Sequence, residues 1–272
     1  MDPQIIQSFW LGLVQGLTEF LPISSTGHLE LMSKIFHITN DVTTDGGMTL
    51  DVLLHVGTLF AVFACFWKRI INMIMHPIQS ELWLLVVATL PAVMAVVALK
   101  VFGVDFEQAF SNEYLGFAFL ITTLIFWLAD LVSGVSFETK QVRWYNAVVM
   151  GLMQAIAIIP GISRSGSTIS GGIATGLSRK RAADFAFLMS IPAILGSVVL
   201  DAKNIFSANA FAAAGGPMPL LVGMVTSAIA GFLSIKFMLR IVRRMRLPWF
   251  GLYTGLLGVL ILLDQYFFHI YF

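Results

Sequence analysis

Six predominantly apolar stretches, at approximately 49–67, 81–102, 114–132, 183–200, 217–238 and 248–268, constrain this chain more than any other feature. Each is close to the roughly 20 residues that a helix rising about 1.5 Å per residue needs to cross a bilayer. Only 11% of the 272 residues are charged and 58% are hydrophobic, whereas soluble globular proteins average about 25% charged, so the solvent is lipid. The same figures exclude a disordered, collagen-like or disulfide-stapled chain. A formal net charge of +1 offers no basic field for nucleic acid. Cys65 is the single cysteine and lies inside an apolar run, which rules out an intramolecular disulfide and a cysteine-based metal site. Met1-Asp2-Pro3-Gln4 lacks the basic start of a signal peptide and no clear small-residue cleavage site follows, so the whole chain is read as mature.

Two further segments, 5–38 and 145–178, are apolar at their ends but broken in the middle by Pro, Gly, Ser and Thr. The breaks read Leu21-Pro22-Ile23-Ser24-Ser25-Thr26-Gly27-His28 and Pro160-Gly161-Ile162-Ser163-Arg164-Ser165-Gly166-Ser167-Thr168. The distribution of cations says what these segments are. Lys68 and Arg69, Lys140 and Arg143, Arg179 to Arg181, and Arg240, Arg243, Arg244 and Arg246 form four clusters, while loops 39–48 and 103–113 carry only acidic charges. Placing all four clusters in the cytoplasm makes the second broken segment enter and leave by the cytoplasmic face and the first by the outer face. Lys34, Lys100 and Lys203 sit near predicted ends, where a long side chain snorkels to the headgroups. Both termini are then expected outside.

The two broken segments also align without a gap. Residues 12–28 match 151–167 at six of seventeen positions: Gly12/Gly151, Leu13/Leu152, Gln15/Gln154, Ile23/Ile162, Ser24/Ser163 and Gly27/Gly166. The expected fold is an all-α integral membrane protein, a single membrane domain over 1–272. It has six transmembrane helices plus two re-entrant helical hairpins, in an inverted-topology repeat of halves 5–133 and 145–270. Such repeats place a site near the bilayer midplane where the hairpin tips meet, and non-helical backbone there must be covered by protein or line a water-filled cavity.

Ionisable residues at membrane depth cost about 2.5 to 3.5 kcal/mol each on insertion scales, which makes them candidate functional groups. The tips would gather Glu19, Ser24, Ser25, Thr26 and His28 with Ser163, Arg164, Ser165, Ser167 and Thr168. This is the composition of a phosphate site. A half-helix starting just after each proline would point free N–H groups and about half a positive charge at the centre. Arg164 adds a fork able to hold two phosphoryl oxygens, and Gly27 and Gly166 leave room for close approach. Ser24 or Ser25 can attack phosphorus, and His28, within about one turn, can take the hydroxyl proton or attack phosphorus itself. Gln15 and Glu19, four apart on one helix face, offer a carboxylate and a neutral oxygen to a hard divalent cation.

Plainer roles fit several of these residues. Single Ser and Thr hydroxyls in membrane helices commonly bond their own backbone, and Glu19 with Arg164 would make a purely structural ion pair. His55, near the outer end of a span, is read as a satisfied interhelical hydrogen bond. Trp10, Trp83, Trp127, Trp144 and Trp249, with Tyr114, Tyr145, Tyr253, Tyr266 and Tyr271, are read as packing or interfacial anchors. Asp130 and Lys236 fall near cytoplasmic ends, where they snorkel or pair, and Arg240 to Arg246 is a topology signal attracted to anionic lipid.

The stretch Gln15-Gly16-Leu17-Thr18-Glu19-Phe20-Leu21-Pro22-Ile23-Ser24-Ser25-Thr26-Gly27-His28 and the stretch Pro160 to Thr168 closely resemble the two signature motifs of the bacterial undecaprenyl-diphosphate phosphatases, often called bacitracin-resistance proteins. Length, six spans, two hairpins and the order of the motifs extend the resemblance over essentially the whole chain. It implies removal of the terminal phosphate of undecaprenyl diphosphate, recycling the carrier lipid for peptidoglycan synthesis. It further implies a bacterial cytoplasmic (inner) membrane location, a site opening to the outer side and a divalent cation, Mg2+ or Ca2+. By position, the family's acidic motif falls on Gln15 and Glu19, its proposed serine nucleophile on Ser25, its histidine on His28 and its phosphate-binding arginine on Arg164, with Thr168 in the same motif. Ser24, Thr26, Ser163 and Ser165 complete the expected phosphate-binding set. Many members have Glu where this chain has Gln15, so more weight falls on Glu19 as metal ligand. The partners expected are undecaprenyl diphosphate and membrane lipids, with bacitracin acting indirectly by sequestering the substrate. Monomer and homodimer both stay open. The rival reading from another class is a transporter or flippase of a polyprenyl phosphate, which would use the same anion site. A second lipid-phosphatase family is discounted because its Lys-x6-Arg-Pro motif is missing, and a purely structural subunit leaves the costly polar groups at both tips without a role.

Overall fold

The computed structural model of the chain describes residues 2–36, 45–77, 80–103, 114–133, 139, 141–205, 216–242 and 245–271, the side chains of 45–48 and 201–205 excepted. Lys140, Arg243 and Arg244, the side chain of Lys203, and loop residues 39–44 and 104–113 lie outside the described residues. Among those described there are ten α-helices: α1 (Pro3–Phe20), α2 (Ser25–Ile35), α3 (Asp45–Met75), α4 (Leu82–Val101), α5 (Leu115–Ser133), α6 (Trp144–Ile156), α7 (Arg164–Ala174), α8 (Arg179–Ile205), α9 (Pro217–Ile241) and α10 (Leu247–Leu263). A short π-helical turn, Asp264–Phe268, extends α10. Among the described residues, six helices are long and apolar enough to cross a membrane: Thr49–Met75, Leu82–Val101, Leu115–Ser133, Arg179–Leu200, Pro217–Ile241 and Leu247–Phe268. The protein is therefore an all-helical, multi-pass membrane protein.

The first of these spans runs eight residues past the apolar stretch in the sequence. Lys68 and Arg69 do not stop α3 because Arg69 is paired, to Glu81 at 2.6 Å and to Asp184 at 3.9 Å, so its charge is compensated inside the bundle. Arg181 pairs with the same Glu81. Asp130 likewise receives Arg179 at 3.2 Å and Arg246 at 3.8 Å, so it pairs rather than snorkels, while the Lys236 ammonium lies 4.0 Å over the Phe232 ring. These bridges join the end of α3 to the starts of α4 and α8, and the end of α5 to the starts of α8 and α10. One end of the bundle thus collects the paired cations.

The contacts of small residues fix helix directions. A Cβ on Gly12 would lie 2.4 Å from Gly223 O, one on Gly16 would lie 2.6 Å from Ala230 Cβ, and Ser234 Oγ donates to Leu17 O over 2.8 Å, so α1 and α9 run parallel. Leu50 and Leu54 pack at Gly223, and Ala61 at Gly231, which makes α3 parallel to α9 as well. All three run toward the cation-rich end. Helix α1 therefore begins at the opposite end, and α10, starting beside Arg246, finishes there. Close backbone approach at small residues is how apolar helices associate when lipid is as apolar as their side chains. Gly12→Val is expected to force α1 off α9 and lower stability by about 1–3 kcal/mol or more. Thermal unfolding of the purified variant in detergent checks this, and an unchanged midpoint would mean that α1 does not seat against Gly223.

Each short-helix pair reverses direction at its break. Helix α1, capped by Asp2 accepting from Gln4 N, ends at Phe20, after which Leu21 is extended and Pro22 prevents continuation. Leu29 of α2 then folds back into a cluster with Leu11 and Leu54. Helix α6 starts at the cation-rich end and ends at Ile156, and Gly161 turns at a φ of 88 degrees with Ala118 Cβ only 2.7 Å from where its own Cβ would be. Helix α7 returns to the end where α6 began: Asn146 Nδ2 donates to Thr175 O over 3.2 Å, and Thr139 forms an isolated bridge with Leu177. The two pairs come in from opposite ends and touch at their tips, where Ser165 Oγ donates to Leu21 O over 3.0 Å. Phe20, Phe66, Phe126, Phe185, Phe187 and Met150 form the core that holds them. The outward faces of α4 and α10 expose Val86, Leu90, Met94, Leu256 and Leu260, as lipid-facing surfaces must.

Candidate active site

The tips enclose a cavity of about 140 Å³ between Glu19, Ser25, Thr26 and His55 on one side and Ser163, Arg164 and Ser165 on the other, with Ala157 in its wall. Local sequence explains the arrangement. Ser24 caps α2, its Oγ accepting from Gly27 N over 3.4 Å, and Ser163 caps α7, its Oγ accepting from Gly166 N over 3.1 Å. The first two N–H groups of each helix stay free of intrahelical partners, so two helix N-termini face the same cavity. Ser24 holds a φ of 72 degrees, a left-handed conformation rare outside glycine that turns the chain sharply after Pro22. Thr122 of α5 accepts from Ser163 N over 3.1 Å and so pins the second tip.

Glu19 is the centre of the polar network. Ser25 Oγ donates to its Oε2 over 2.6 Å, Gln15 Nε2 donates to the same oxygen over 3.1 Å, and Arg164 Nη2 donates to Oε1. The carboxylate is nearly enclosed, with 3% side-chain exposure, whereas Arg164 keeps 25% and still faces the cavity. A carboxylate held by a guanidinium and an amide is oriented to accept a proton from a hydroxyl, which is the geometry of an activated nucleophile. Ser24 also lines the cavity, but its Oγ accepts from Gly27 N as the cap of α2, and it is Ser25 that bonds Glu19.

His28 is not brought to Ser25. Its Nδ1 lies 2.6 Å from Ser24 O, which can only accept, so Nδ1 carries a proton. Its Nε2 lies 2.7 Å from Tyr253 Oη, and the two rings stack with centroids 5.7 Å apart. Both ring nitrogens are engaged and neither His28 nor Tyr253 lines the cavity, so Tyr253 is a polar partner as well as an interfacial ring. His28→Gln and Tyr253→Phe are each expected to reduce turnover by no more than about tenfold, below the 10²–10⁴-fold of a general acid or base. A larger loss in the purified, folded Tyr253→Phe variant would restore His28 to the chemistry.

His55 differs from its reading in the sequence. Its Nδ1 bonds Asp51 O at 2.9 Å within its own helix, not across helices, and its Nε2 reaches within 3.8 Å of Glu19 Oε2 at the cavity wall. The cue was present as an ionisable residue inside an apolar run with Asp51 one turn before it. Thr168, expected among the phosphate-binding groups, is buried and donates to Arg164 O over 2.8 Å, so it supports the arginine from behind. Thr26 is exposed at the cavity, 3.5 Å from Ser24 Oγ.

The chemistry of the donors admits a hard cation. Gln15 Oε1 is a buried oxygen with no protein partner, beside the Glu19 carboxylate. Among the described residues no group of three His, Cys, Asp or Glu gathers, so an ion here would take two protein oxygens and complete its shell with phosphate and water, as Mg2+ commonly does.

Comparison with known proteins supplies the family. The chain is 42% identical over 260 residues to the undecaprenyl-diphosphatase of Carboxydothermus hydrogenoformans, covering 95% of this chain and 97% of that one. It is 36% identical over 261 residues to undecaprenyl-diphosphatase 4 of Bacillus thuringiensis, with 96% and 97% covered, and 34% identical over 265 residues to the undecaprenyl-diphosphatase of Halothermothrix orenii, with 96% and 98% covered. Residues 8–260, which include both tips and all six spans up to the last turns of α10, match the family described as bacitracin resistance protein BacA. The chain belongs to the BacA family of bacitracin resistance proteins.

Proposed function

We propose that the protein is an undecaprenyl-diphosphatase that hydrolyses undecaprenyl diphosphate to undecaprenyl phosphate and inorganic phosphate. It returns the carrier lipid to cell-wall synthesis and confers bacitracin resistance, because bacitracin acts by sequestering the diphosphate that the enzyme consumes. The observation that carries this reading is the Ser25 hydroxyl lying 2.6 Å from Glu19 Oε2 in a cavity that also holds Arg164 and two helix N-termini. The residues before and after the tips form the proposed inverted repeats, 5–133 and 145–270. With the cation-rich end in the cytoplasm, both termini lie outside and the substrate enters from the outer leaflet.

The polyprenyl tail stays in lipid while the terminal phosphoryl group sits between Arg164 and the free N–H groups of α2 and α7. Ser25 Oγ attacks phosphorus, its proton passing to Glu19. The bond to the bridging oxygen breaks, and undecaprenyl phosphate leaves carrying that oxygen and its electron pair. Water, deprotonated by a Glu19 that has released the first proton, then attacks the phosphoserine and frees phosphate, Ser25 regaining a proton. Arg164 and the helix ends stabilise charge that grows on the transferring group, the part of binding that accelerates chemistry. A divalent cation held through Glu19 and Gln15 Oε1 would supply further neutralisation of the phosphates.

The transporter reading shares the anion site but gives no use to a hydroxyl aimed at a carboxylate. Purified protein in lipid with Mg2+ is expected to release phosphate from undecaprenyl diphosphate, and chelation with EDTA is expected to lower the rate. Folded protein that binds the lipid yet releases no phosphate with any divalent metal would put the transporter reading first.

A further inference from the structure

His55 lines the cavity, yet the proposed reaction gives it no task. The packing of α3 on α9 holds it in place: Ser227 Oγ donates to Leu54 O over 2.7 Å, and a Cβ on Gly57 would lie 3.1 Å from Ser227 Cβ. Gly16 of α1 meets the same residue, where a Cβ would lie 2.6 Å from Ser227 O. Gln15 and His55 therefore sit at about the same level on neighbouring helices. Both reach one atom, since Glu19 Oε2 lies 3.1 Å from Gln15 Nε2 and 3.8 Å from His55 Nε2.

A separation of 3.8 Å is too long for a hydrogen bond. It is the spacing of two ligands on one ion, because atoms each about 2.0–2.2 Å from a cation lie about 3–4 Å apart. The ring is also set for ligation. Asp51 O, 2.9 Å from Nδ1, can only accept, so Nδ1 carries a proton and Nε2 is the nitrogen turned toward Glu19. Asp51 Oδ2, 3.6 Å from Nδ1, adds a carboxylate behind the ring. A carbonyl or carboxylate behind one nitrogen is what fixes the orientation of metal-ligating histidines and raises their basicity. Any proton on Nε2 would leave as the ion arrives, since only the free nitrogen coordinates. Gln15, with 0% exposure, adds a buried Oε1 that has no protein partner. His28 does not compete for this part, because both its nitrogens are engaged and it lies outside the cavity lining.

We propose that His55 Nε2 is a ligand of the divalent cation bound by Glu19, with Gln15 Oε1 as a further oxygen. The inference rests on the reading of Glu19 and Gln15 as a cation site, and His55 takes a place in the shell otherwise left to water. A nitrogen donor changes which ion the site prefers. Ca2+ takes oxygen ligands, whereas imidazole suits first-row transition ions, so one nitrogen among the oxygens discriminates against Ca2+.

Mn2+ added to the full chain in nanodiscs, without substrate, tests this, because pulsed EPR detects a 14N nucleus bound directly to the ion. The wild type is expected to show coordinated 14N, replaced by a 15N pattern when the protein is grown with 15N-histidine. His55→Gln is expected to lose that coupling and to bind Mn2+ about tenfold or more weakly, with a smaller change in Ca2+ affinity. His55→Ala serves if that variant does not fold, and His28→Gln is expected to keep the coupling. The ligand is overturned by a wild type that binds no Mn2+, by bound Mn2+ without nitrogen coupling, or by coupling that survives in a folded His55 variant. Equal losses for Mn2+ and Ca2+ would overturn the selectivity. Reading the metal without substrate keeps this apart from the phosphatase reading. Mn2+ on His55 in a protein that releases no phosphate would remove the phosphatase and leave the site standing, and phosphate release with no nitrogen on the ion would do the reverse.

Discussion

Arg164→Ala is expected to cut phosphate release by about 10³-fold or more, the loss that follows removal of a preorganised group aimed at developing charge. The same substitution leaves the Glu19 carboxylate, with 3% side-chain exposure, without its cation. Stranding one partner of a buried pair costs about 3–5 kcal/mol, and the 25% exposure of Arg164 puts this pair at the low end. Activity and stability are thus expected to fall together, which is also what a merely structural ion pair would give. The double variant Glu19→Gln/Arg164→Ala separates the two. It removes the stranded charge, so the unfolding midpoint in detergent is expected to recover toward wild type while turnover stays lost. Arg164→Lys keeps the charge but not the two-pronged donor, and an intermediate rate is expected. A folded Arg164→Ala enzyme turning over at the wild-type rate would remove the guanidinium from phosphate binding altogether.

The neighbourhood of Arg164 marks what sequence reasoning can and cannot reach. Hydropathy gives the six spans because lipid imposes a length, and the Pro22 and Pro160-Gly161 breaks stand out because an unbroken helix is the default at that depth. The meeting of Glu19 with Arg164 is legible for a related reason: two costly charges with no neighbour in sequence must find each other. The end of α3 is not legible, since whether Arg69 stops a span depends on Glu81 and Asp184 arriving from other helices. The same holds for His28. Its spacing from Ser24 and Ser25 puts it within one turn, but which nitrogen faces what is decided by Tyr253, 225 residues away. His55 reaches Glu19 only through the packing of α3 on α1, and Thr122 meets Ser163 only through α5. Each miss is a partner choice set by tertiary register, which local spacing does not encode.

Ser25→Ala is expected to lower turnover by about 10⁴-fold or more, as removal of a nucleophile does when its base and anion site remain. Folding should be little affected, because Ser25 occupies the first position of α2 and the cap belongs to Ser24. Ser24→Gly is the matched control: glycine accepts the φ of 72 degrees without strain and costs only a few tenths of a kcal/mol as a cap. That variant is expected to keep most of its activity if Ser25 alone attacks phosphorus. Substrate labelled in its terminal phosphate and quenched during turnover is expected to leave label on the wild-type and Ser24→Gly proteins and none on Ser25→Ala. Glu19→Gln should slow the appearance of label, because the 2.6 Å contact that draws the Ser25 proton would then end on a neutral amide. Wild-type turnover without any labelled protein, or near-wild-type rates in Ser25→Ala, would mean that water attacks phosphorus directly. Glu19 would then be its base, with Ser25 reduced to holding that carboxylate in place.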